Sequence, residues 1–273
     1  MILNVQTDVN NIKFVKPSQT ISISLTNKNC FLNCPYCNKH YLINMKKISD
    51  IKNDKYSSIL VSGGMNDKGC VPFIEHFNEL LDLKNKNIKL NIHTGIIKNN
   101  SDFIKLKEIA DCVSFDFLIH KETIKRIYGD FFTQKDFTHS IDNFLKNKIR
   151  VVPHVMIGVN EGEILGEKQA IDYLSERFDE IVFLVLIVNK NTDFALFKSP
   201  NIEDVLDIIK YGKSKIKNVS LGCMRPGGIY RRKLDIEALK LGVDKIVMPS
   251  KEAEKYALEN KFLIEYSYEC CVL

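Results

Sequence analysis

Eight short apolar runs recur along the chain, near residues 20–26, 57–62, 88–94, 111–118, 150–157, 180–188, 218–223 and 244–248. Runs of this length, rich in Ile, Val and Phe, read as strands. Amphipathic stretches near 72–85, 101–110, 133–147, 163–177, 201–215, 231–241 and 250–260 read as helices. A helix between two strands returns the chain to the same end of a sheet, so the strands run parallel. Eight such units predict an α/β fold, a (β/α)8 TIM-type barrel; the alternative is a partial (β/α)6 barrel with a C-terminal cap. No fixed-period repeat or low-complexity linker divides the 273 residues. One domain is expected over 1–273, with 1–18 as a lead-in covering the barrel's lower end and 261–273 as a cysteine-containing tail.

A formal charge of +5 is mild for this length, and lysine far outnumbers arginine, the better reader of phosphates and bases. Nucleic-acid binding is not expected. Nor is a membrane span, since no stretch approaches the roughly 20 apolar residues that one needs. No apolar signal segment precedes the first strand-like run, so the expected location is the cytoplasm, where thiols stay reduced.

Just after the first strand-like run stands Cys30-Phe-Leu-Asn-Cys-Pro-Tyr-Cys37, a CxxxCxxC spacing. Three thiolates, from Cys30, Cys34 and Cys37, can hold a four-iron, four-sulfur cluster by three of its irons. The fourth iron is then open to chelate a small molecule and pass it an electron. A structural zinc site made from the same three cysteines and His40 is the competing reading.

Active sites of such barrels lie at the C-terminal ends of the strands. Polar residues two apart fall late in three strands: Asn91 and His93, Ser114 and Asp116, then His154 followed by Met156. Side chains two apart share a face of a strand, so these pairs predict a polar wall inside the upper barrel. Gly63 and Gly64 end the second strand, where two glycines let backbone approach a ligand closely. Cys70 and Cys112 read as small buried hydrophobes. Cys223 ends the seventh strand at the expected rim, and Cys270 and Cys271 close the tail. A twelve-residue extended tail reaches roughly 40 Å, enough to bring those sulfurs up to Cys223 as ligands of a second cluster.

The cysteine motif resembles that of the radical S-adenosylmethionine enzymes. The run Cys34-Pro-Tyr-Cys-Asn-Lys-His-Tyr-Leu-Ile-Asn-Met45, the Val-Ser-Gly-Gly turn, Asn91-Ile-His-Thr-Gly95, Ser114-Phe-Asp-Phe117, Leu221-Gly-Cys-Met-Arg-Pro226 and the Glu-Cys-Cys tail extend that resemblance. Together they are similar to biotin synthase-like enzymes, and most closely to one component of the two-protein lipoyl synthases. The resemblance implies that Tyr36 contacts the adenine of S-adenosylmethionine and that Gly63 and Gly64 meet its amino group. The family's glutamate after the glycines is replaced here by Met65. The implied reaction starts with a 5′-deoxyadenosyl radical and inserts sulfur into a protein-bound octanoyl chain, with Phe115, Phe117 and the tail aromatics as candidates for its apolar slot. Implied partners are a second radical enzyme, an octanoylated carrier protein or domain, and an electron donor such as ferredoxin or flavodoxin. A one-cluster methyltransferase or cyclase, and a non-enzymatic zinc protein, are the other classes open to this sequence.

Replacing Cys30, Cys34 and Cys37 together by alanine is expected to abolish 5′-deoxyadenosine formation from S-adenosylmethionine under reducing conditions, read by chromatography. A triple variant that cleaves at the parental rate would rule out the radical reading.

Overall fold

Each of the eight apolar runs becomes a strand in a computed structural model that describes residues 10–51 and 56–273. The strands are β1 (Asn11–Val15), β2 (Thr20–Ser24), β3 (Ser58–Ser62), β4 (Lys89–His93), β5 (Cys112–Asp116), β6 (Val151–Ile157), β7 (Glu180–Val185), β8 (Asn218–Leu221), β9 (Lys245–Val247) and β10 (Leu263–Ser267). They form one sheet in the order β10-β1-β9-β8-β7-β6-β5-β4-β3-β2, and every neighbouring pair is parallel. The eight predicted strands, β2 to β9, thus lie side by side in chain order, as in a TIM-type barrel.

The sheet curls. Val15 of β1, Cys112 of β5, Val152 of β6 and Val247 of β9 belong to one buried cluster, which a flat sheet would hold far apart. The ladder runs from β2 to β10, and segment 16–19 bridges the lower end: Lys16 N donates to Ser267 O at 2.8 Å, Gln19 N to Tyr268 O at 2.9 Å, and Ser57 N to Gln19 O at 3.1 Å. Of the lead-in expected over 1–18, the structure describes residues 10–18. They contain β1, which joins the sheet between β9 and β10; residues 1–9 lie outside the described residues. Likewise the tail begins with a strand, β10, because Leu263 to Ser267 pair along β1.

Helices α1 (Phe77–Asn85), α2 (Asn100–Ile109), α3 (Lys121–Tyr128), α4 (Gln134–Lys146), α5 (Glu167–Ser175), α6 (Ile202–Lys215), α7 (Gly228–Lys240) and α8 (Lys251–Glu259) follow the strands. The sequence reading missed α3. Its apolar stripe (Ile124, Ile127) is only two residues long, and its cap is a histidine, His120 Nδ1 accepting from Thr123 N at 3.4 Å. Outward-facing strand residues pack under the helices; Phe115 meets Phe144 and Phe137 of α4 at ring separations of 5.3 and 6.3 Å. No helix among the described residues is long and apolar enough to cross a membrane.

One buried ion pair fastens the loop after β8. Arg225 Nε donates to Asp235 Oδ1 at 2.7 Å, both side chains fully out of solvent. The guanidinium also donates to the carbonyls of Gly222 (2.5 Å) and Val247 (2.8 Å), and Asp235 Oδ2 accepts from Ser250 N at 2.8 Å. β8, β9, α7 and the start of α8 are thereby joined through two side chains. Asp235→Ala leaves the arginine charge buried without its partner, which costs about 3–5 kcal/mol. Denaturant unfolding of that variant is expected to show a loss of this size; a loss under 1 kcal/mol would mean that the pair is not the fastener.

Candidate functional site

The pleat sorts the strands into two faces. Leu90 and Ile92 of β4, Val113 and Phe115 of β5, and Val155 and Ile157 of β6 join the outer core under the helices. Their neighbours Asn91, His93, Ser114, Asp116, His154 and Met156 consequently point inward. Ser114 Oγ donates to Asn91 Oδ1 at 3.0 Å, and the rings of His93 and His154 lie 5.8 Å apart. His154 Nδ1 donates to Val152 O at 3.0 Å, which leaves Nε2 as an acceptor. Burial lowers the pKa of both imidazoles, with Asp116 opposing: His154 falls to about 4, and His93 shifts the same way. The upper chamber is thus lined by neutral imidazoles, a carboxyl group and a hydroxyl. Phe115 and Phe117 do not line it. Phe117 stacks on Tyr173 of α5, 5.2 Å between centroids, so both rings belong to the helix layer and cannot form an inner apolar slot.

The cysteine loop follows β2. Thr26 organises its base, donating to Asn29 O at 2.7 Å and accepting from Gly64 N at 2.6 Å. Phe31 N then donates to Met65 O at 2.8 Å. Gly64 is pressed onto the first cysteine: a Cβ there would stand 1.9 Å from Asn29 O and 2.6 Å from the Cα of Cys30. Only glycine fits. Cys37 N and Asn38 N both return to Cys34 O, at 2.9 and 3.1 Å, and Asn38 and Lys39 take left-handed φ angles of 41° and 62°. That tight turn brings Cys34 and Cys37 within electrostatic reach of each other and of Cys30. Burial, with the neighbouring cysteines, pushes the Cys34 thiol up to about 12, and burial also raises Cys37. A coordinated iron would offset this, since metal ligation deprotonates a thiol outright. Tyr36 is half-buried and, like Cys34 and Tyr128, packs against the cluster of Ile127, Val159, Leu186 and Phe194. Among the described residues no three His, Cys, Asp or Glu side chains stand together as a single-metal site, and this holds for Cys30, Cys34 and Cys37 alone as it does for the set with His40.

The tail takes a different route from the one expected. It does not climb the outside to the rim but crosses beneath the strands and enters the barrel from its lower end. Glu269 accepts from Ser57 Oγ at 2.7 Å and pairs with Lys89 at 2.6 Å. Arg150 donates to Val272 O at 2.5 Å, and Lys245 to Cys271 O at 2.9 Å. Cys271 and Val272 fill the interior with Val15, Val152 and Val182, while Asn91 Nδ2 donates to Cys270 Sγ at 3.3 Å. Cys223 is nonetheless within electrostatic reach of both tail sulfurs. Cys271 hydrogen-bonds Cys270, which holds Cys270 below the usual thiol range and itself above it. Cys112, read from the sequence as a hydrophobe, also faces inward and packs in the tail's cluster. The signal was available in the period of two, since Cys112 stands two residues before Ser114 on the face that turns inward.

No protein-family model matches this chain, and no curated protein matches its sequence. Solved structures do match. Methylornithine synthase (PylB) superposes with a TM-score of 0.63 at 12% identity, over 87% of this chain and 72% of that one. HydG, a maturase of the FeFe hydrogenase, gives 0.62 at 15% identity, over 95% of this chain and 62% of that one. A structure of anSMEcpe with bound AdoMet gives 0.51 at 16% identity, over 86% and 67%. At these identities the likeness is one of fold.

His154 sets an acid limit on stability. Its pKa is lowered on folding, so the unfolded chain takes up a proton that the folded chain refuses, and stability falls as pH drops from 6.5 to about 4. The full effect is on the order of 3 kcal/mol. His154→Gln is expected to flatten that part of the stability–pH curve; an unchanged slope would show that the imidazole protonates freely within the chamber.

Proposed function

We propose that this chain is a radical S-adenosylmethionine enzyme that inserts sulfur into an octanoyl chain carried on a protein. One observation carries the radical reading. Three cysteines share one loop at the mouth of a polar chamber, and the glycine turn after β3 is pressed against the first of them. Cys30, Cys34 and Cys37 would hold a 4Fe–4S cluster and leave one iron open. Gly63 and Gly64 would offer backbone to the amino group of S-adenosylmethionine, with Met65 O already engaged by Phe31. Tyr36 would flank the adenine, and His93, Ser114, Asp116 and His154 would form the wall that orients cofactor and substrate and excludes water. Bound here, the cluster supplies the electron that breaks the C5′–S bond of S-adenosylmethionine.

Sulfur insertion is supported by the second group of thiols. Cys223, Cys270 and Cys271 would ligate another 4Fe–4S cluster, with Cys112 beside Cys270 as a further thiol. The octanoyl substrate, the second radical component, the ferredoxin or flavodoxin donor and the cytoplasmic setting rest on the motif resemblance. Met156, Leu184 and Met224, which pack on the tail's cluster, replace Phe115 and Phe117 as the apolar surface facing such a chain.

Anaerobic reconstitution is expected to give about eight irons per chain, two four-iron centres. Cys270→Ser with Cys271→Ser should lower this to about four, keep 5′-deoxyadenosine formation and yield no thiolated octanoyl product. About four irons in the parental chain and in that variant alike removes the sulfur-insertion reading and leaves the one-cluster methyltransferase or cyclase; no iron at all removes the radical reading.

A further inference from the structure

The cysteine loop and the loop after β7 are joined into one surface. Asn38 Nδ2 donates to Asn191 O at 2.8 Å, and Phe194 N donates to Pro35 O at 3.2 Å. The charge of this surface is one-sided. Residues 25–50 carry Lys28, Lys39, Lys46 and Lys47 against Asp50, and residues 186–201 carry Lys190 and Lys198 against Asp193. Six lysines against two aspartates make these loops +4, where the whole chain is +5. All six lysines are exposed, and none is in an ion pair with a described residue. Large apolar side chains stand out of the same loops: Phe31, Ile43, Phe197 and Leu196, the last 96% exposed. Leu196 ends a short 3-10 turn, Asp193–Leu196, whose Phe194 is fully buried, so an ordered anchor holds the leucine out in water.

A groove of about 600 Å³, open to solvent, adjoins this surface. Leu32, Asn33 and Pro35 line one side, and Lys125 and Arg126 at the end of α3 line the other, with Asp193. The Arg126 guanidinium is taken up by Glu161. Cys34 is turned away, against the cluster of Ile127, Val159, Leu186 and Phe194, so the groove meets the chain on either side of that cysteine. None of Asn91, His93, Ser114, Asp116 and His154 lines it, so it does not open into the chamber. An acyl arm entering here would stop at the cysteine loop, whereas an electron needs no channel. The six loop cations are all lysine, point charges that suit carboxylates spread over a protein; none offers the planar fork that reads nucleic-acid phosphates and bases.

We propose that this surface docks a small acidic protein that carries single electrons, and that electrons enter the chain across the cysteine loop. Leu196 is the apolar anchor of the contact, and the lysines steer the acidic partner to it. This rests on the radical reading above. Each S-adenosylmethionine cleaved uses one electron, which must be replaced from outside the chamber. In the transfer the docked protein is oxidised by one electron and the centre on Cys30, Cys34 and Cys37 is reduced by one; no bond forms or breaks and no proton moves.

The test uses the anaerobically reconstituted full chain with a plant-type ferredoxin as the acidic carrier. Calorimetry with oxidised ferredoxin reads binding. Formation of 5′-deoxyadenosine is followed with reduced ferredoxin and, in parallel, with dithionite, a small reductant that needs no docking. The parental chain is expected to bind ferredoxin with an affinity that falls as salt rises. Lys39→Glu with Lys190→Glu should weaken binding and slow the ferredoxin-driven rate about tenfold, within the range by which charge changes at one interface alter association. The dithionite-driven rate should stay as it was. Leu196→Gln should weaken binding by a similar factor and leave the salt dependence in place. It lies outside the cysteine loop, so it carries the comparison if the double variant loses iron. Ferredoxin binding and ferredoxin-driven rate unchanged in these variants overturn the docking surface. So does slower thiolation of an octanoylated carrier domain with ferredoxin unaffected, which would give the surface to that carrier. A parental chain that makes no 5′-deoxyadenosine with dithionite overturns the radical reading, and the proposal with it.

Discussion

The centre of this molecule depends on the pleat of parallel strands. Because alternate side chains point to opposite faces, one strand can bury Val113 and Phe115 under helices and still turn Ser114 and Asp116 into the barrel. Repeated on β4, β5 and β6, this builds a chamber whose wall is polar while the sheet's outer face is almost wholly apolar. The same alternation makes the interior sensitive to register. A slip of one residue would exchange Asp116 for Phe115 and put a carboxylate under the helices.

The chamber has a floor as well as a mouth. The floor is the C-terminal segment, clasped by Ser57, Lys89, Arg150 and Lys245 near the lower ends of four strands. It carries two cysteines into the interior, where an apolar residue would otherwise suffice. The mouth is the cysteine loop, stitched to the loop after β7 by Asn38 Nδ2 donating to Asn191 O at 2.8 Å and Phe194 N donating to Pro35 O at 3.2 Å. Cys223, just after β8, is exposed, and its carbonyl accepts from Arg231 Nη2 at 2.9 Å.

Two contacts fix the upper surface to the strands beneath it. Gly64 lets the turn after β3 touch Cys30, and the Arg225–Asp235 pair holds the turn after β8 against α7. Both are short-range, and both leave little room for substitution, one because a Cβ has no space and the other because a buried charge needs its partner. The cysteine loop and Cys223 are therefore presented by rigid anchors, although each lies outside regular secondary structure.

The sequence alone determined the strands, their parallel order and the inward set. Local hydrophobicity and the period of two carry that information, and Asn91, His93, Ser114, Asp116 and His154 were legible as one wall for the same reason. The cysteine loop was legible from spacing, since a tight turn is a local property. Pairing across long separations was not. β1 and β10 looked like a lead-in and a tail, because nothing within either segment shows that the two will pair with each other. The short, histidine-capped α3 was hidden for want of a long apolar stripe. Phe115 and Phe117 were misassigned although the sequence held the answer: they alternate with the inward Ser114 and Asp116, so the same period of two turns them toward the helices. The route of the tail was equally hidden. Only folding carries it under the strands, because Glu269 pairs with Lys89 and Val272 O accepts from Arg150, partners far away along the chain.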